Sequence, residues 1–260
     1  MLELERVADG RFRSSFEDTW CQGRTAYGGL SAAFGVAALE TVVPAERDLL
    51  GIDVAFVGPL APGAVDIEAR VLRSGKNLTH ATAVVRDAAG AVATTVHGVL
   101  GSPRSSKIRR DVPPPAPAAA ADAVAPIPFL PGMTPAFTQH FEMRLVAGAP
   151  PFSGADDTRV QGFARHRTRA SGVCAIVGLL DAWWSPALAM GKGPFFASSV
   201  RWAANFATGL RASAAALGDA PVYYESELVA AADGYATFVA NMYAGERHIA
   251  WSEQLVALFD

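Results

Sequence analysis

The sequence predicts an α+β protein made of two similar halves, each with one apolar helix among antiparallel strands. Three observations carry this. A Pro- and Ala-rich stretch divides the chain near its middle. On each side of it lies one run of small and apolar residues with the length and spacing of a buried helix. Each such run is followed by four strand-like segments, so the same order of elements occurs twice.

In the first half, RFRSSFEDTW reads as a strand ahead of the helix GGLSAAFGVAALETVV (28–43). Four strand-like runs follow: GIDVAFVG (51–58), VDIEARVLRSG (65–75), LTHATAVVRD (78–87) and AVATTVHGVLG (91–101). VDIEARV and THATAVV alternate with period two, and DAAG between the last two runs is a hairpin signal.

RSSKIRRDVPPPAPAAAADAVAPIPFLPGMTP (104–135) then interrupts the pattern. Proline supplies no N–H to a strand ladder and breaks helices, so this stretch reads as a surface linker. The expected division is an N-terminal unit 1–103, a linker 104–133 and a C-terminal unit 134–260.

In the second half, FTQHFEMRLV and RVQGFARHRT are strand-like, and SGVCAIVGLLDAWWSPALAM (171–190) reads as the helix, with Pro186 near its end. Then come SSVRWAANFA (198–207), PVYYESELVAAADG (221–234), YATFVANMYAG (235–245) and HIAWSEQLVALF (248–259). A lone apolar helix among antiparallel strands can bury itself only if the sheet wraps around it. That arrangement is the hotdog fold, and its duplication is a double hotdog. Two unrelated α+β domains are the alternative, and the repeated order favours duplication.

About half of the chain is hydrophobic, its charged fraction is 18% and its formal net charge is −3. The charge gives no electrostatic case for nucleic acid or an anionic membrane. No apolar run approaches the ~20 residues of a spanning helix. The opening MLELERVADG carries acids where a signal peptide is basic and then apolar, so a cytoplasmic location is expected. Cys21 and Cys174 lack metal-ligand spacing and read as two reduced thiols. His80, His97, His140, His166 and His248 are scattered without ligand spacing, so no metal site is expected. The absence of a G-x-S-x-G elbow and of a P-loop disfavours an α/β serine hydrolase and a nucleotide triphosphatase.

The oddest residue is Asp181, the one formal charge in VCAIVGLLDAWWSPAL (173–188). An ionised carboxylate costs several kcal/mol to desolvate unless partners compensate. Burial raises its pKa toward the range useful to a general base. The plain alternative puts Asp181 on a wet stripe of the helix, or near a frayed end before Pro186. The first helix has no such acid: its only one, Glu40, lies near the C-terminal end. One active site per chain is therefore expected, on the second helix.

GRTAYGGLSAAFGVAALETVVP, followed by VAFVGPLAPGAVDIEARVLRSGKNLTHATAVVRDAAGAVATTVHGVL, resembles the N-terminal half of acyl-CoA thioesterase II, the TesB-like double-hotdog thioesterases. LLDAWWSPAL, SSVRWAANF and HIAWSEQLVAL are similar to that family's landmarks in the second half, in the same order. The resemblance covers nearly all of the chain outside the linker. It implies a hydrolytic water held by a helix Asp, a Thr or Ser opening the next strand, and a Gln on the last strand. These fall on Asp181, on Ser199 and on Gln254. If the register slips by one, the hydroxyl falls instead on Ser198, which points to the other face of the strand. The family's usual hydroxyl is Thr, and Arg201 stands where an acid is often found.

The residues bear on these assignments independently. Gln254 neighbours Glu253 on a strand, so the two face opposite ways, and an inward Gln254 needs partners for its amide. Gly28 and Gly29 open the first helix after Tyr27, which suits close approach of a ligand to helix N-terminal amides or tight packing against a strand. Gly172 opens the second helix and is an alternative oxyanion site. Trp183, Trp184 and Phe206 are candidate walls for an acyl chain and equally ordinary core. Arg104, Lys107, Arg109 and Arg110 read as a solvated linker start, with the phosphates of coenzyme A as the other reading; Arg165, His166, Arg167 and Arg169 read as a solvated strand face.

The resemblance thus implies an acyl-CoA or related acyl-thioester hydrolase that needs no cofactor and binds neither nucleic acid nor membrane. Two alternatives stand beside it: a hotdog hydratase or dehydratase, which wants an Asp/His pair, and a non-catalytic acyl-CoA-binding module. Edge strands of a wrapped sheet invite pairing with a second copy, so a homo-oligomer is expected.

Overall fold

The two half-repeats fold around two helices that meet at the middle of one long sheet. The structure is a computed structural model and describes residues 2–108, 110 and 112–259. The first half runs β1 (Glu5–Ala8), β2 (Arg11–Phe16), a two-residue hairpin of β3 (Cys21–Gln22) and β4 (Thr25–Ala26), α1 (Gly28–Val42), β5 (Asp48–Phe56), β6 (Gly63–Ser74), β7 (Leu78–Arg86) and β8 (Val92–Gly101). The second half runs β9 (Phe141–Gly148), β10 (Arg159–His166), α2 (Val173–Leu180), α3 (Ala187–Met190), β11 (Phe196–Phe206), α4 (Leu210–Leu217), β12 (Val222–Ala232), β13 (Tyr235–Ala244) and β14 (Arg247–Phe259).

Twelve strands form a single antiparallel sheet in the order β1-β2-β6-β7-β8-β5-β11-β14-β13-β12-β10-β9. Read outward from its centre, the order is the same on both sides, with β5 matching β11, β8 matching β14, and so on to the edges. The two sheets expected from the sequence are therefore continuous. They join where β5 pairs with β11, with Asp53 opposite Ala203 at the midpoint of the pairing. This is the double hotdog: two wrapped half-sheets about a pseudo-twofold axis, with the helices packed against each other inside.

α1 is apolar or small on every face, and its residues from Gly29 to Leu39 are buried apart from Ala37. A helix of that pattern cannot lie on a surface, and the sheet encloses it. The second helix departs from the expected span of 171–190. α2 ends at Leu180, with Asp181 leaving helical geometry at its C-cap (φ −105°, ψ 10°). A non-helical turn then leads to Pro186 and the short α3. Pro186 disfavours helix in the residue before it and starts a helix readily, which explains the break.

The Pro-rich stretch forms no strand among its described residues. It runs along the outer edge of β9, where the Ile127 amide donates to the Met143 carbonyl (2.7 Å) and Arg144 Nη1 donates to the Ala121 carbonyl (3.1 Å). The first of these bonds uses a backbone carbonyl that an open sheet edge would otherwise present to another chain. Arg109 lies outside the described residues.

Candidate active site

Gln254 stands at the centre of a polar cluster in an otherwise apolar interior. It lies on β14 opposite Trp202 of β11 and is buried at 6% exposure. Its Nε2 donates to Asp181 Oδ1 (2.9 Å) and to Ser199 Oγ (2.7 Å). A carboxylate only accepts hydrogen bonds, so the amide nitrogen must face it, and both amide hydrogens are then committed. Ser199 Oγ is left with its own hydrogen to donate, and Asp181 keeps a second oxygen free of Gln254.

A β-bulge decides which serine meets Gln254. Along β11 the inward side chains are Phe206, Ala204 and Trp202, and strict alternation would carry Val200 and then Ser198 inward. The pairing with β14 shifts between Ser199 and Arg201, and the extra residue reverses the faces beyond it. Ser199 therefore points inward and Ser198 is exposed. Arg201 points outward, where it pairs with Asp53 (3.1 Å) and Glu253 (3.5 Å) at the surface. It sits on the far side of the sheet from the cluster.

The other wall of the cluster comes from the first half. The Asp181 carboxylate faces the Gly29 amide at the N-terminus of α1, which favours its ionised form. Tyr27, the N-cap, supplies no side-chain cap, so Asp181 takes that role from across the pseudo-twofold. The approach needs both glycines: a Cβ on Gly28 would stand 2.7 Å from Asp181 Oδ2, and one on Gly29 would stand 3.2 Å from Asp181 Cβ. Desolvation pushes the Asp181 pKa from 3.8 up to about 7, opposed by the bonds from Gln254 and Gly29.

Of two cavities beside α1, only the smaller touches the cluster, through Ser199. The smaller, about 280 Å³, is lined by Ser198, Ser199, Gly28, Ser31, Phe56 and Thr94 among others. The larger, about 1350 Å³, opens between α1 and the start of α2 and reaches none of Asp181, Ser199 and Gln254. Its floor includes Tyr27, Leu30 and Ala33, and its walls carry charges of both signs, Glu3, Glu5, Glu17 and Glu40 with Arg13 and Arg169. Chemistry rather than size makes the smaller cavity the one adjoining the site.

The acyl-CoA thioesterase N-terminal domain model matches residues 16–100, and the acyl-CoA thioesterase C-terminal domain model matches residues 116–258. The chain belongs to the acyl-CoA thioesterase family. A search of the curated proteins finds no match. Solved structures share the fold over nearly the full length. A hot dog fold protein of unknown function from Alicyclobacillus acidocaldarius has a TM-score of 0.88 at 19% identity, covering 99% of this chain and 96% of that one. The TesB protein of Mycobacterium avium subsp. paratuberculosis has a TM-score of 0.81 at 16% identity, with the same coverage. Acyl-CoA thioesterase II TesB2 of Mycobacterium marinum has a TM-score of 0.73 at 16% identity, covering 100% of this chain and 96% of that one.

Within this thioesterase-family chain, the other half holds apolar residues in the places that correspond to the polar cluster. β5 carries a bulge between Leu49 and Gly51, matching that between Ser199 and Arg201 in β11. Gly98 lies opposite Ile52 as Gln254 lies opposite Trp202. A Cβ on Gly98 would stand 2.6 Å from Leu39 Cδ1 and 3.8 Å from Leu49 Cδ1. Leu39, Leu49 and Gly98 thus hold the places of Asp181, Ser199 and Gln254, and all three are buried. An apolar trio fills one half and a polar trio the other.

The remaining sequence candidates fall elsewhere. Tyr27 is buried, with its ring stacked 4.4 Å from that of Phe137, and it lines the larger cavity. Trp183 packs in the core against Tyr224, with ring centroids 5.6 Å apart, and lines neither cavity. Phe206 is core at the opposite end of β11 from Ser199. Gly172 begins α2, a helix length away from Asp181, on the larger cavity. His166 donates from Nε2 to the Ala175 carbonyl (3.0 Å) and is not paired with Asp181. Of the residues sequence reasoning missed, Ser31 and Thr94 stand out: both are buried and their hydroxyls are 2.6 Å apart. Nothing in their local sequence signals this, since a strand and a helix bring them together. Among the described residues no group of three His, Cys, Asp or Glu side chains is placed to hold a metal ion, and no helix is long and apolar enough to cross a membrane.

Proposed function

We propose that the protein hydrolyses an acyl-CoA or related acyl thioester, with the chemistry carried by Asp181, Ser199 and Gln254. The observation that carries this reading is that Gln254 bonds Asp181 and Ser199 at once, against the amide end of α1. In this scheme the attacking water lies against Asp181 and Ser199, the two side chains that Gln254 holds together. Asp181, poised near neutrality, takes a proton from that water as it attacks the thioester carbon. Gln254 orients the carboxylate and hydroxyl without competing for the proton, and Ser199 donates its O–H toward the water or the developing oxyanion. The Gly29 amide is occupied by Asp181, so the Gly28 amide and the helix N-terminus are the groups left to stabilise the oxyanion. The thiolate leaves and the acid is released; no cofactor enters the scheme.

In this reading the C-terminal unit 134–260 supplies the reacting groups, and the N-terminal unit 1–103 supplies the oxyanion donor and the walls of the smaller cavity. The stretch 104–133 ties the two. A hydratase reading wants a His beside the Asp, and His166 is engaged with a backbone carbonyl. The test is thiol release from acyl-CoA of graded chain length, with wild type and Asp181→Asn. Release that survives the substitution undiminished rules out the Asp181 mechanism. Binding without release by wild type favours a non-catalytic module.

A further inference from the structure

Beyond the reacting groups, the smaller cavity contains a polar device that the hydrolytic scheme does not use. Ser31 lies one turn into α1 from Gly28, and Thr94 lies on β8 opposite Phe56. Both line the cavity that also holds Gly28 and Ser199. Their side chains are almost fully enclosed, at 3% and 1% exposure. Ser31 Oγ and Thr94 Oγ1 are 2.6 Å apart, and among the described residues neither hydroxyl has another side-chain or backbone partner. Two hydroxyls sharing one bond use only one of their two hydrogens. The second hydrogen is a donor held in a buried cavity with no protein acceptor, a state that is unfavourable until something accepts it.

We infer that the Ser31–Thr94 pair recognises a hydrogen-bond-accepting oxygen of the substrate close to the thioester, and so selects for thioesters that carry one. This rests on the proposed site at Asp181. The spacing fits: three residues along a helix is a rise of about 4.5 Å from Gly28, within reach of an oxygen a few bonds from the scissile carbon. An unsubstituted alkyl chain in the same place would leave the donor unpaired. Two parts of a thioester can bring such an oxygen: a 3-hydroxy or 3-oxo group on the acyl chain, or the first amide carbonyl of the pantetheine arm.

The experiment compares kcat/KM for four thioesters of equal acyl length: plain and 3-hydroxy acyl groups, each on coenzyme A and on mercaptoethanol, which lacks the amide. Ser31→Ala is the main variant, since alanine favours the helix and is expected to leave folding intact; Thr94→Val is the second, and thermal unfolding checks both. The preference for the oxygen-bearing partner is expected to fall about fivefold or more. A fall in the 3-hydroxy-to-plain ratio assigns the oxygen to the acyl arm. A fall in the coenzyme A-to-mercaptoethanol ratio assigns it to pantetheine. If both ratios stay within twofold of wild type in folded Ser31→Ala and Thr94→Val, the pair only packs and the inference is wrong. Calorimetric binding of the matching non-hydrolysable thioethers reads the same ratios without turnover. Failure of the proposed hydrolysis is thereby separated from failure of the recognition.

Discussion

The Asp181 carboxylate of one half lies against Gly28 at the start of the other half's helix, where a Cβ would stand 2.7 Å from Oδ2. The candidate site is therefore shared between the duplicated units. Asp181 ends one helix and caps the next, and neither half contains the arrangement alone. Substituting Gly28 by Ala is expected to push the carboxylate or the Phe56 ring, 3.0 Å from the same point, out of place. Thiol release should fall more than tenfold while the protein stays folded, which kinetics and a thermal unfolding curve together would show.

As the general base of the proposed mechanism, Asp181 would set the pH dependence. Its pKa, about 7 in the folded chain, means the base form dominates only above neutrality. At saturating enzyme stability, kcat/KM should rise about tenfold per pH unit below 7 and level off above it. A profile flat from pH 5 to 9 would contradict Asp181 as the general base.

The same shift carries a stability consequence with a definite sign. The folded chain holds this proton more tightly than the unfolded chain, whose carboxyl titrates near 3.8. Stability should therefore fall as pH rises between 3.8 and about 7, by a few kcal/mol at most, with no further contribution from Asp181 above that window. Asp181→Asn removes the titration while its side-chain oxygen can still accept from Gly29. The variant should lose thiol release by about a hundredfold or more. It should also unfold at a temperature no lower than wild type at pH 8. A lower one would mean that the charge itself stabilises the helix junction.

The two serines separate on one measurement. Ser199→Ala removes a partner of Gln254 and should lower kcat/KM by about tenfold or more. Ser198→Ala, on the exposed side of the bulge, should stay within about twofold. Equal effects from both would contradict the geometry of β11.

The apolar half can be probed by Leu39→Asp. Leu39 is fully buried against Gly98, with no amide or hydroxyl beside it comparable to Gln254 or Ser199. An unpaired carboxylate there should cost several kcal/mol and shift the denaturant midpoint sharply, without adding activity.

Much of this molecule was legible in its residues. The doubled order of helix and four strands, the alternation in THATAVV and the all-apolar GGLSAAFGVAALETVV dictate two sheet-wrapped helices, because such a helix has no other way to bury itself. Asp181 stood out because a lone carboxylate among leucines and tryptophans demands partners. Short-range pattern could not supply those partners. The break of α2 at Asp181, the bulge that turns Ser199 rather than Ser198 inward, and the joining of two sheets through β5 and β11 all depend on pairings between distant segments. So does the meeting of Ser31 with Thr94. Sequence alone determined which residues must be buried and in which repeating order. Tertiary structure decided which of them touch, because a one-residue bulge reverses a strand's faces and a pseudo-twofold axis brings the carboxylate of one repeat to the helix of the other.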